Sequence, residues 1–162
     1  MPKAYRWFGL SAAVLVADYV TKFAMLSAFA PGESRAVVPF FNLVLVFNKG
    51  AAFSFLAGQP GWQTLFFAVI AVVASLVVSF LIFKDPDKRM FCLGLALILG
   101  GALGNLHDRL VYGHVVDFLD FHAADWHWPA FNVADSAITL GAAILILEGF
   151  LHRDEAQREK QA

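Results

Sequence analysis

The 162-residue chain is 59% hydrophobic and 15% charged, with a formal net charge of −1. That apolar share exceeds, and that charged share falls below, what a soluble domain usually carries. No basic stripe is present for nucleic-acid binding, and the single cysteine, Cys92, excludes an intrachain disulfide or a cysteine-based zinc cage.

A membrane-crossing helix needs roughly 20 apolar residues for a hydrocarbon core of about 30 Å. The first candidate, about residues 7–29, meets this if it tolerates Asp18 and Lys22. The "AFA" at 28–30 resembles a signal-peptide cleavage site, but the run is long, carries two charges and is followed at once by Pro31. It therefore reads as an anchor. Asp18 and Lys22, in "DYVTK", are four apart, on one helix face and in the favourable acid-before-base order. An intramembrane ion pair is the expectation.

Residues 36–57 are apolar enough to pose as a span. Pro39, Asn42 and "NKG" interrupt them, and the Val/Phe-rich stretch 37–47 reads as short strands. "NKGAAFS" (48–54) combines the Asn48 amide, the flexible Gly50 and the small Ala51 and Ala52. Such a segment either lets backbone approach a ligand closely or makes a tight turn.

The run 62–83 has no charge at all, and 90–106 is shorter but also uncharged. Cys92 reads there as a small hydrophobe, and Gly100 and Gly104 form a small-xxx-small pattern for close helix approach. Asn105 and Arg109 fall where this span leaves the bilayer. Arg109 either pairs with Asp108 or another carboxylate, or orients a catalytic acid. The last span runs from about 132 to 151, with Glu148 near its inner end.

Charge arithmetic separates four spans from five. With four, one side holds Lys3, Arg6, Lys84, Lys88, Arg89, Arg153, Arg158 and Lys160, against Arg35, Lys49 and Arg109 on the other. With five, only Lys3, Arg6 and Arg109 would lie inside. The positive-inside rule predicts four membrane helices, both termini cytoplasmic, and outward-facing connections at about 30–61 and 107–131.

Asp108, Asp117, Asp120, Asp125 and Asp135 all fall on the outer side or at its membrane edge, together with Asn48, Asn105, Arg109 and Asn132. Polar groups in hydrocarbon are costly, so such a set usually faces a bundle interior and marks a site. Asp135 also has a local reading: three residues after Asn132, it fits a capping box and favours the helix dipole. Asp117 on its own reads equally as a solvated loop acid. If the two meet, they cannot both ionise cheaply, and the pair holds one proton. One carboxylate would then activate water while the other polarises a carbonyl, as in an aspartic protease. His114, His122 and His127 accompany Asp117 and Asp120, but their spacing matches no zinc pattern, and no metal is expected. Trp126 and Trp128 beside the last two histidines suit an aromatic belt at a membrane surface.

"DYVTK", "NKGAAFS", "GGALGNLHDR", "VVDF" and "FNVADSAI" stand here in the order seen in lipoprotein signal peptidase (signal peptidase II), which the chain resembles from about residue 5 to 150. His107 is a modest departure, since the family more often has an aliphatic or aromatic residue there. The resemblance implies a single multi-pass peptidase domain over residues 1–162, in the bacterial plasma (inner) membrane. It would cut prolipoproteins just before a diacylglyceryl-modified cysteine, with no cofactor, at the outer face. By motif, Asp117 and Asp135 look like the catalytic pair. Asn48, Gly50, Asn105, Arg109 and Asn132 look like substrate-binding or dyad-orienting residues, and Asp18, Lys22 and Asp108 like polar support. The family also implies a small β-sheet cradle on the membrane surface, with a short surface helix or loop. A monomer is expected. A proton-coupled transporter or channel subunit using Asp18, Lys22 and Asp135 is the alternative; it would spread charges across the membrane's depth.

Overall fold

A computed structural model describes residues 3–50 and 61–159, with side chains up to residue 151. Four helices are long and apolar enough to cross a membrane: α1 (Tyr5–Ala28), α2 (Trp62–Lys84), α3 (Arg89–Val111) and α4 (Val133–Glu159), the last over Val133–Leu151. In hydrocarbon a chain must satisfy its backbone polar groups internally, and an uncharged run such as α2 can do so only as a helix. Large side chains on its outer surface, among them Leu65, Leu76 and Phe80, are about two-thirds exposed. That distribution suits lipid rather than water as the surrounding solvent.

Helix α3 is central and packs against α1, α2 and α4. Its glycines explain how. A Cβ on Gly100 would lie 2.6 Å from the Ser11 carbonyl oxygen of α1, and one on Gly104 would lie 2.5 Å from Asp18 Oδ2. The small-residue pattern thus brings α1 close enough for Asp18 to reach across α3. One apolar core joins Ala4, Val78, Ile82, Leu95 and Leu99 across the first three helices. Helix α3 also runs five residues past the boundary expected at 106. Asp108 and Arg109 are therefore helical and share a defined angular spacing with Asn105, rather than leaving with a loop.

Both long connections feed one antiparallel sheet, ordered β1 (Ser34–Val38), β2 (Phe41–Asn48), β3 (Val115–Ala123) and β4 (Trp126–His127). The hairpin between β1 and β2 turns at Pro39 and Phe40, in agreement with strands read over 37–47. Residues 36–57 are accordingly no fifth span as far as Asn48; residues 51–57, including Ala51 and Ala52, lie outside the described residues. In the second connection, the surface helix or loop becomes the β3–β4 pair and a short return. The alternating "VVDFLDF" run, rich in β-branched and aromatic residues, favours that strand. Leu45, Val116 and Phe118 pack on Met25 near the end of α1, so the sheet is seated on the helices by an apolar core of its own.

Candidate active site

Strand β3 pairs with β2 from Asn48↔Val115 to Phe41↔Phe121, with an irregularity between Leu43 and Val46. Asp117 thereby stands opposite Val46. It is 2% exposed, so the solvated loop reading does not hold. Past the β3–β4 hairpin the chain doubles back and bridges Leu119 with Phe131: Leu119 N donates to Phe131 O at 2.8 Å, and Phe131 N donates to Leu119 O at 3.1 Å. This return places Asn132, the next residue, level with Asp117.

Asn132 and Asp135 then open α4 as a capping box. Asp135 N donates to Asn132 Oδ1 at 2.9 Å, and Asn132 N donates to Asp135 Oδ2 at 3.3 Å. The local reading of Asp135 is therefore correct, and it leaves the other oxygen free for a second role. Asn105 Nδ2, from α3, donates to Asp135 Oδ1 at 2.7 Å. Asn132 Nδ2 donates to Asp117 Oδ1 at 2.7 Å, and Asn48 Nδ2 to Asp117 Oδ2 at 3.1 Å. Three asparagines from β2, α3 and the mouth of α4 thus hold two carboxylates in one place.

Both carboxylates line a cavity of about 570 Å³, together with Asn48, Asn105 and Arg109. Trp128 and Phe131 wall it on the sheet side, and Ile138, Leu140 and Ala143 extend it along α4 as an apolar groove. That volume suits a bound segment or small ligand. Burial, and then the negative charge of Asp135, push the Asp117 carboxyl up to about 7, against the pull of the Asn48 and Asn132 hydrogen bonds. The pair is an arrangement in which one carboxyl keeps a proton near neutrality while its neighbour is ionised.

Arg109 does not take Asp108 as its partner. Asp108 is held by Lys22, Nζ–Oδ2 2.8 Å, and accepts from Val116 N at 3.1 Å. Adjacent residues on a helix diverge by about 100°, so Asp108 faces the bundle and Arg109 the cavity. The Arg109 guanidinium instead donates to the carbonyls of Gly50 at 3.1 Å and Asn105 at 3.2 Å. It also lies 5.4 Å from the centre of the Phe67 ring. Gly50 N donates to Asn48 Oδ1 at 2.9 Å, so Asn48 and Arg109 together fix the turn after β2. The expected Asp18–Lys22 pair is present at 2.8 Å, and Asp18 Oδ1 also accepts from Ala134 N in the first turn of α4 at 2.8 Å.

Among the histidines, His127 Nδ1 lies 2.8 Å from Asp120 Oδ1, and its ring stacks on His122 at 4.9 Å between centroids. Asn42 Nδ2 donates to the same carboxylate at 2.8 Å. This chain of contacts pins the β3–β4 hairpin and so fixes Trp128. Sequence reading missed it, and also missed Phe131 and the α4 groove. A residue pair such as Asn42 and Asp120 carries no mutual signal until strand register is known.

The polar residues Asp18, Lys22, Asn105, Asp108, Asp117, Asn132 and Asp135 form one connected cluster where the helices meet the sheet. A transporter relay would need them spread through the depth of the bundle. The family model described as signal peptidase (SPase) II matches residues 10–151. The chain belongs to the signal peptidase II family. Its relatives include lipoprotein signal peptidases of Paraburkholderia phymatum, 55% identical over 88% of this chain and 86% of that one, and of Janthinobacterium sp., 54% identical over the same shares. The Burkholderia mallei relative is 56% identical, again over 88% and 86%. Two bacterial membrane enzymes solved by the in meso method share the fold. One has a TM-score of 0.82 at 30% identity, covering 94% of this chain and 90% of that one. The other has a TM-score of 0.78 at 30% identity, covering 88% and 91%. Signal peptidase II membership and four membrane-length helices make this a multi-pass protease of the bacterial inner membrane, and set the transporter reading aside.

Proposed function

We propose that the chain is an intramembrane aspartic endopeptidase that removes the signal peptide from prolipoproteins, cutting just before a cysteine bearing a diacylglyceryl group. The observation that carries the reading is the convergence of Asp117 and Asp135 on one cavity, each held by amide donors from separate elements. Asp117, protonated near neutrality, donates a hydrogen bond to the scissile carbonyl oxygen. Asp135, ionised, takes a proton from a water molecule, whose oxygen attacks the carbonyl carbon. The tetrahedral intermediate collapses with cleavage of the C–N bond as the proton that Asp135 took from water passes to the leaving nitrogen, which returns Asp135 to its ionised form.

Arg109, which lines the cavity, and Gly50, whose carbonyl it holds, are assigned to substrate binding, with Asn48, Asn105 and Asn132 orienting the acids. Asp18, Lys22 and Asp108 support them from α1 and α3, and no metal or other cofactor takes part. Both termini are assigned to the cytoplasm and the cavity to the outer face, where the substrate's lipid stays in the bilayer and water reaches the bond. The enzyme acts as a monomer.

The test is cleavage of a diacylglyceryl-modified prolipoprotein by purified protein in liposomes. Asp117→Asn and Asp135→Asn should each lower kcat by about 1,000-fold or more at unchanged folded yield, since each removes a group that transfers a proton. A chelator should leave the parent rate untouched. Normal cleavage by either variant would sink the assignment, and chelator sensitivity would turn attention to His122 and His127.

A further inference from the structure

Lys22 is 2% exposed and is not among the residues lining the cavity. Its ammonium group meets three acceptors: Asp18 Oδ2 at 2.8 Å, Asp108 Oδ2 at 2.8 Å and Asn105 Oδ1 at 3.1 Å. Two of these make a scaffold, because Asp18 also accepts from α4 and Asp108 from β3. The third does something else. An ammonium only donates, so the amide atom against it has to be the oxygen, and the Asn105 NH2 is turned toward Asp135. There it donates to Asp135 Oδ1 at 2.7 Å.

We propose that Lys22 is a positioning residue for cleavage: acting through Asn105, it fixes the amide orientation that keeps a donor on Asp135 and leaves that carboxylate free to receive the proton of water. The proposal rests on the two-aspartate reading. Without the ammonium, the Asn105 amide has two orientations. The flipped one sets oxygen against oxygen, which Asp135 accommodates only by carrying the pair's proton itself, and a protonated Asp135 cannot activate water. Asn132 does not replace the restraint. Its Nδ2 reaches Asn105 Oδ1 only at 3.3 Å, while the same two hydrogens also serve Asp117 Oδ1 at 2.7 Å and Val116 O at 3.2 Å.

Removing Lys22 alone would leave Asp18 and Asp108 buried without a cation, which endangers folding. The informative variant is therefore Lys22→Met with Asp108→Asn, which keeps the local net charge, leaves one buried carboxylate, Asp18, rather than two without the ammonium, and still offers Val116 N an acceptor. In proteoliposomes the balanced pair should lose about 10- to 100-fold in kcat, the usual consequence of losing a group that orients a reacting one, with KM unchanged. A double-mutant cycle supplies the second readout: in an Asn105→Ala background the same pair of changes should cost no further activity. Additive losses, a raised KM with kcat retained, or a balanced pair that fails to fold would each overturn the proposal and assign Lys22 to the scaffold alone. Asp117→Asn and Asp135→Asn run beside it; cleavage surviving in those would instead sink the two-aspartate reading itself.

Discussion

Asp117 concentrates the energetics of the site in one side chain. Its carboxyl is pushed from 3.8 to about 7 by burial and by Asp135, so the folded state binds a proton that the unfolded state has released. The stability linked to this proton is fully present below about pH 4, and is lost as the pH rises through about 7. Such a shift corresponds to on the order of 4 kcal/mol across that window. We expect the parent's resistance to unfolding in mixed micelles to fall between about pH 4 and pH 8. Asp117→Asn, neutral throughout, should remove most of that fall and stand above the parent at the alkaline end. A parent curve with the same slope as the variant would show that the carboxylate is not held neutral. On the proposed mechanism the same proton is offered to the scissile carbonyl, so kcat/KM should decline on the alkaline side of about pH 7. A residue that destabilises the fold at working pH is the kind of feature a reactive site retains.

Among the elements, α3 decides whether these side chains meet. Gly104 faces Asp18, and the added methyl of Gly104→Ala would stand 2.5 Å from its carboxylate oxygen and 3.4 Å from Ala134 Cβ. Either α1 moves away or Asp18 leaves the first turn of α4. We expect a loss of about 1–3 kcal/mol, typical of overpacking, read as a lower thermal midpoint in micelles and accompanied by weaker cleavage. Gly9→Ala, where nothing lies within 4 Å of the added carbon, serves as the control and should be neutral. Equal effects at the two glycines would remove the argument from close approach.

The spans, the β1–β2 strands, the capping box at Asn132 and the Asp18–Lys22 pair were all legible in the sequence, because each rests on local periodicity or spacing. The burial of Asp117 was not. It depends on the pairing of β3 with β2 and on the Leu119–Phe131 bridge, contacts between segments that share no periodic signal. Of the partners open to Arg109 in the sequence, Asp108 drops out for a related reason: a neighbour in sequence is a poor partner on a helix, and the angle between residues 108 and 109 sends them to different surroundings.

The whole molecule joins a lipid-facing helical bundle to a sheet that closes one end, and the cluster of the candidate site lies at their junction. That geometry gives the orientation a direct consequence. If the basic residues of the α2–α3 connection mark the cytoplasmic side, the sheet projects from the opposite surface, and the cavity opens where a translocated polypeptide emerges. Val37, 54% exposed on β1, and Asp87, whose side chain is 68% exposed, report on the two surfaces. Replacing Asp87 sacrifices only an exposed pair with Lys3, which is worth little. In right-side-out membrane vesicles from cells making Val37→Cys or Asp87→Cys in a Cys92→Ser background, an impermeant maleimide should label the first variant at once and the second only after permeabilisation. The reverse pattern would place the cavity on the cytoplasmic side. Asp117 and Asp135 could keep all their hydrogen bonds in that orientation and still never meet a signal peptide after export. On the proposed mechanism, function would therefore depend on the distribution of Lys and Arg at the bundle's far end as much as on the carboxylates.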